Sequence, residues 1–292
     1  QTCALPISVD SKIFVVNKRQ MFDERDKDEV INPMQGEKMS AVFIGPECDF
    51  SRTWPNALTL DKCKYKLIDS DWSETLPVWQ AQRKVREMLG MRQVYRNRLP
   101  QRYKWIYEKH PGDGTLVKFL FEFIVLDVPL TKVFAVIERS AEFAVFLNNI
   151  AVGEKPEGWY LDKSFDKIPL IGLVQGINVL TLECRYRNDL EVEDIYIIGD
   201  FGVDLHNRSI VSEPKTLHMG DWCTQGYPHY CGSMIYKGIY RFDPAKQQEK
   251  VLLTIGKCSA VTIEIRINGS SAGHIPWGAA DGLDITRSEE RR

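Results

Sequence analysis

LVKFLFEFIVL, residues 116–126, is the stretch on which the fold turns. Val117, Phe119, Phe121 and Phe123 recur at every second position, with Glu122 between the last two. That is the period of a β-strand, whose successive side chains leave opposite faces of the sheet. Similar runs follow: KVFAVIE (132–138), EFAVFLNN (142–149), INVLTLECRY (177–186) and DIYIIGDFGV (194–203). In the third, Val179, Leu180 and Leu182 carry the apolar content. Pro129, Asn148-Asn149, Gly153 and Gln175-Gly176 punctuate these runs as turns. Many short strands with no helix between them predict a mainly-β chain built as β-sandwiches.

Upstream, KIFVV (13–17), SAVFIG (40–45) and ALTLDKCKYKL (57–67) also read as strands, and the charged stretch 21–38 reads as a loop. LPVWQAQRKVREMLG (76–90) is the one clear helix. Pro77 suits a first turn, and Val78, Ala81, Val85 and Met88/Leu89 form the apolar stripe. Gly90 falls just past the end. Residues 91–114 are basic and aromatic, and end in Pro and Gly; they read as a connector rather than a nucleic-acid patch.

Two segments echo one another. KVFAVIERSAEFAVFLNNIAVG (132–153) and KVLLTIGKCSAVTIEIRINGSSAG (250–273) each run strand, turn, strand, then an Asn-led pair and a downstream Gly. Asn148 aligns with Asn268 and Gly153 with Gly273. An Asn-Asn or Asn-Gly pair favours positive φ and closes a hairpin, and the later Gly permits a bulge. The spacing exceeds a solenoid repeat and suits duplication of a whole sandwich unit. The expected organisation is a β-rich region with helix and connector (9–114), a first sandwich (115–203) and a second (204–286). The second copy lacks a closing strand like INVLTL and reads as truncated. QTCALPIS (1–8) and RSEERR (287–292) read as non-native ends of a metagenomic fragment, and neither is expected to pack.

The chain has 292 residues, 43% hydrophobic and 27% charged, with a formal net charge of −2. Those values suit packed domains and speak against a nucleic-acid or anionic-membrane partner. Seven cysteines form no C-x-x-C pair and no zinc spacing. Cys223 and Cys231 flank a turn-rich stretch and allow a bridge, but scattered thiols in a reducing, cytoplasmic compartment fit better. No calcium loop occurs, and no cofactor is expected.

GDWCTQGYPHYCGSMIYKGIYRF (220–242), the second repeat copy and LDIT (283–286) together resemble the C-terminal jelly-roll of glycoside hydrolases related to family 2 and to the family 106 α-L-rhamnosidases. PNALTLDKCKYKL (55–67) and LPVWQAQ (76–82) resemble the region upstream of such modules in large bacterial members. HIPWGAADG (274–282) departs from the pattern. The resemblance implies tandem galactose-binding-like jelly-rolls. It also implies a parent enzyme with an upstream (β/α)-barrel acting on plant or host glycans, so the partners are carbohydrate and that catalytic domain. A glycosidase needs two carboxylates about 5–9.5 Å apart. Glu183, Glu191, Glu193, Asp194, Asp200 and Asp204 read instead as solvated edge charges, so no catalytic residue is assigned.

Sugar contacts need aromatic faces beside polar groups. Two places combine them: Trp159, Tyr160 and Asp162 in one, and Asp221, Trp222, Gln225, Tyr227, His229 and Tyr230 in the other. The competing reading is structural. Trp159 then packs on a sandwich end, Asp162 caps a turn, and Trp222 and Tyr230 anchor a crossing between sandwiches. The function expected is a non-catalytic, sugar-binding-fold portion of a glycoside hydrolase. The alternatives are a carbohydrate-binding module with its own glycan site, and a structural or adhesive sandwich.

Overall fold

The computed structural model describes residues 47–93, 107–153, 155–239, 252–255, 260–276 and 283–285. The KIFVV and SAVFIG runs, the loop at 21–38, both terminal strings and most of the 91–114 connector lie outside them. The chain divides into two compact units, Gln1–Lys237 and Gly238–Arg292.

The first unit begins with β1 (Glu47–Arg52), β2 (Asn56–Leu60), β3 (Lys62–Leu67), β4 (Leu76–Pro77) and helix α1 (Val78–Met88). Then come β5 (Thr115–Val125), β6 (Val133–Glu138), β7 (Ala144–Leu147), β8 (Ile150–Ala151), β9 (Trp159–Tyr160) and β10 (Asp162–Leu170). The unit closes with β11 (Gly176–Tyr186), β12 (Ile195–Gly199), β13 (Gly202–Asp204), β14 (Ser209–Val211), β15 (Thr216–His218) and β16 (Met234–Lys237).

These strands form a β-sandwich. One sheet has the order β2-β12-β6-β10-β9; the other runs β13-β14-β5-β11-β7-β8, with β3 also on β5. A small third sheet has the order β15-β1-β16. The core lies between the two large sheets. Leu58, Leu60, Ala135, Ile137, Ile195 and Ile197 come from one, and Val117, Phe119, Phe121, Phe123, Leu180 and Leu182 from the other. The stripe that opened the sequence analysis is buried along its whole length. Each such Phe or Leu contributes about 1.5–3 kcal/mol of burial. On β11 the inward residues are Asn178, Leu180, Leu182, Cys184 and Tyr186, while Val179 falls half-buried on the other face.

The stretch 57–67 is two strands rather than one. β2 pairs with β12 in the first sheet, and β3 pairs with β5 in the second, so the chain changes sheets at Asp61. Residues 56–67 are therefore part of the same sandwich as 115–203. Residues 204–237, expected in a second sandwich, also belong to this unit: β13 and β14 join the sandwich through β14 on β5 in parallel, and β15 and β16 flank β1 in the small third sheet.

Helix α1 follows the stripe, with Val78, Ala81 and Val85 buried. Met88 is exposed, and Arg86 takes a buried position. Its guanidinium donates to Arg92 O (2.8 Å), Asn188 O (3.1 Å) and Asn188 Oδ1 (2.7 Å), which ties the helix to the β11–β12 connection. Gly90 ends the helix at φ +68, the left-handed conformation that glycine adopts without a Cβ clash.

Both Asn-led turns form. Asn148 and Asn149 have φ of 51 and 66, and Asn268 and Gly269 have φ of 50 and 86. The second unit contains the hairpin of β18 (Thr262–Ile267) and β19 (Ser270–Pro276), together with the short pair β17 (Leu252–Leu253) and β20 (Leu283–Asp284). The expected bulge occurs in this copy, where the register slips between Ile265 and Arg266 beside Gly273. Gly153 shows no positive φ.

Candidate functional site

The segment 221–236 is held by its own side chains. Asp221 accepts from Cys223 N (2.9 Å) and starts a short 3-10 turn, Trp222–Gln225. Gln225 Oε1 accepts from His218 N (2.7 Å), and its Nε2 donates to His218 O (3.1 Å). Trp222 Nε1 donates to Tyr236 Oη (2.6 Å), and its ring meets Tyr230 edge-on. Tyr227 is buried against Phe50 and Tyr230, and its hydroxyl donates to Glu213 (2.9 Å). Burial, with Glu213 second, drives the Tyr227 phenol well above its ordinary value. Tyr230 Oη donates to Ser233 O (2.9 Å) and accepts from Thr53 N (3.1 Å). His229 Nδ1 accepts from Thr59 N (3.3 Å), and burial pushes its pKa down. All six expected contacts in this segment thus bind the chain to itself, and Tyr230 braces the turn that follows β1. A Cβ at Gly232 would lie 2.5 Å from Tyr230 Oη and force that ring to shift. Cys231 is a free thiol, so the Cys223–Cys231 bridge is not formed.

In the other group, Tyr160 is buried among Ala57, Val136 and Ile198. Its ring is edge-on to Trp54 at 5.9 Å. Asp162 accepts from Ser164 N (2.8 Å) and Oγ (2.7 Å) and closes a turn, which holds its carboxyl below the usual range. Trp159 has an open ring, at 47% exposure.

Trp159 stands opposite Asp166 across the β9–β10 pair. Asp166 lines a cleft of about 320 Å³ at the sandwich edge where β8 and β9 end the two sheets. Its walls are Phe143, Phe146, Val152, Pro156 and Ile168, with Ser140 at the polar side. The volume is at the small end for ligand pockets. Asp166 Oδ2 accepts from Ser140 N (3.1 Å) and Oγ (2.7 Å), which orients the carboxylate and leaves Oδ1 as an acceptor. The short edge strands, two residues each, leave this cleft uncovered by further sheet. Sequence reasoning reached Trp159 but missed Ser140, Phe143, Phe146 and Asp166, which lie together at the cleft because β10 pairs with β6 in one sheet and β7 lies in the sheet facing it.

The carboxylates of the β11–β13 region have identifiable partners in several cases. Glu183 pairs with Lys118, Asp200 with Arg52, and Asp204 accepts from His206 N and Asn207. Asp194 is half-buried at the end of β12, one step beyond the Ile195–Leu60 pair and so at the register position of Asp61. Burial, then the Asp61 charge, raises its pKa, and Arg208 opposes this. Asp61 itself is bound by Arg208 at 2.8 Å. No family model, curated protein or solved structure matches the chain.

Proposed function

We propose that this chain is a non-catalytic, sugar-binding-fold portion of a glycoside hydrolase, and that it touches glycan at the edge cleft beside Trp159. The observation that carries the reading is the cleft itself. Its aromatic and aliphatic walls suit the C–H face of a sugar ring. The Asp166 carboxylate, oriented by Ser140, presents an acceptor for hydroxyls, and the open Trp159 indole adds a stacking face across the strand pair. In this reading the sandwich is a galactose-binding-like jelly-roll that supports a neighbouring catalytic domain. The carboxylates engaged with Lys118, Arg52 and Arg208 favour a structural role over acid–base chemistry. The alternative of a module with its own glycan site differs only in whether the cleft binds without that neighbour.

Calorimetric titration of the full chain with a panel of neutral oligosaccharides tests this. Binding in roughly the micromolar to millimolar range, weakened at least about tenfold by Trp159→Ala and by Asp166→Asn, is expected. Trp222→Ala should lower stability and leave affinity unchanged in the folded fraction. Absence of binding across the panel removes the glycan-contact reading. Hydrolysis of aryl glycosides by this chain removes the non-catalytic one.

A further inference from the structure

The edge cleft holds a carboxylate where the strand pattern calls for a core residue. Asp166 of β10 lies opposite Ile137 of β6 and in phase with Ile168 and Leu170. Residues opposite one another share a face, and so do alternate residues of one strand. Ile137, Ile168 and Leu170 all belong to the core between the sheets. Asp166 therefore points the same way and stands half-buried where that core opens into the cleft.

Its charge has no counter-ion. Asp166 Oδ2 takes its two bonds from the uncharged amide and hydroxyl of Ser140. Among the described residues, Asp166 is the one charged side chain lining the cleft, and Ser140 is the one other polar side chain. Two basic residues lie close by in sequence, and both are engaged elsewhere. Arg139 pairs with Glu142 at 2.9 Å, and Lys167 lies over the Phe134 ring at 5.1 Å.

This composition favours a positively charged ligand. A carboxylate flanked by apolar walls is less screened than one in open water, so it attracts a cation more strongly there. Phe143 and Phe146 supply aromatic rings, whose faces attract cations and repel anions. A neutral hydroxyl can also donate to the free Oδ1, but a hydrogen bond from an ammonium is roughly twice as strong. A sugar carboxylate would meet Asp166 as a like charge. The cleft volume of about 320 Å³ and the Trp159 ring opposite Asp166 suit a ring-shaped ligand better than a bare alkyl chain. We infer that the cleft selects an amino sugar, with the ammonium on Asp166 Oδ1 and the ring against the aromatic walls. This inference rests on the glycan reading and names the sugar class that the site takes.

Calorimetric titration of the full chain with three trisaccharides of the same linkage tests it: one of glucosamine, one of N-acetylglucosamine and one of glucose. The glucosamine form should bind at least about tenfold more tightly than the two uncharged ones. Asp166→Asn should bring the three dissociation constants to within about twofold of one another. In the wild-type chain, raising the salt from about 0.05 to about 0.5 M should narrow the preference several-fold, a readout that needs no variant. Trp159→Ala should weaken all three and leave their ratio unchanged. Equal binding of the glucose and glucosamine forms, weakened by Trp159→Ala, overturns the amine selection and leaves the glycan reading standing. No binding of any of the three overturns both. A preference that survives Asp166→Asn overturns the assignment to this carboxylate. Butylamine binding as tightly as the glucosamine form overturns the sugar class.

Discussion

Asn178→Ala should unfold the first unit more easily than any surface change, and its cost can be worked from four hydrogen bonds. Asn178 is wholly buried on β11, where an alternating strand would place an apolar residue. Its Nδ2 donates to Val174 O (2.7 Å) and Gly176 O (3.3 Å), and its Oδ1 accepts from Val174 N (3.0 Å) and Asn148 Nδ2 (3.0 Å). One amide therefore fastens the β10–β11 connection and the β7–β8 turn to the end of the core. Truncation leaves the Val174 peptide groups and the Asn148 amide without this partner. A buried polar group stripped of its partner costs about 1–3 kcal/mol. Val174 is half exposed, so water recovers part of that loss. The sum is about 3 kcal/mol. With a urea slope of about 2 kcal/mol/M, the midpoint should fall by about 1.5 M at constant slope. Asn178→Asp keeps the acceptor, turns a carboxylate toward Val174 O, and should cost at least as much. A loss below about 1 kcal/mol for both variants would refute the latch.

Two further predictions concern pH. Arg187 donates to Glu142 (2.8 Å) and Asp189 (3.0 Å), and these bonds hold both carboxyls below their ordinary values. Depressed carboxyls contribute stability that is complete above their unfolded pKa and is lost as pH falls through the folded one. Arg187→Gln should therefore lower neutral-pH stability by no more than about 1 kcal/mol, since the group is partly solvated, and the difference should close in acid. Thermal melts from neutral pH down through the carboxylate range read this out. Asp194 has the opposite sign. Its pKa is raised by burial and then by Asp61, so its penalty appears as pH rises above the ordinary Asp value. Asp194→Asn should raise the melting temperature at neutral pH and have no effect in acid; a variant that destabilises at neutral pH would show that the carboxylate is needed.

The strand content was legible because the inward residues of β5 alternate without a break, and burial on one face permits only one register. The Asn turns were legible because the positive φ they adopt is chemistry local to two residues. The division of 57–67 leaves a trace in the sequence. Leu58 and Leu60 are in phase, and so are Cys63, Tyr65 and Leu67, but the two sets are out of phase with each other at Asp61. That slip is where the chain changes sheets. Pairing between β2 and β12, or between β3 and β5, spans far too much sequence for any local signal to announce it. The same holds for residues 204–237, whose partners β1 and β5 lie far upstream.

Aromatic-polar composition singled out 221–230 as a surface. It cannot distinguish rings that meet a ligand from rings that meet each other, and here Phe50, Trp222, Tyr227 and Tyr230 meet each other. The edge cleft was hidden for the converse reason. Ser140 and Asp166 are 26 residues apart, and only the pairing of β6 with β10 places the hydroxyl on the carboxylate.

The most direct test of the account is two-dimensional NMR of the chain titrated with oligosaccharides. The prediction is that the Trp159 indole, the Ser140 amide and the amides of Phe143 and Phe146 shift together, with one dissociation constant, while the Trp222 indole stays fixed. Shifts centred on Trp222 and Tyr230 with Trp159 unmoved would contradict the proposed site.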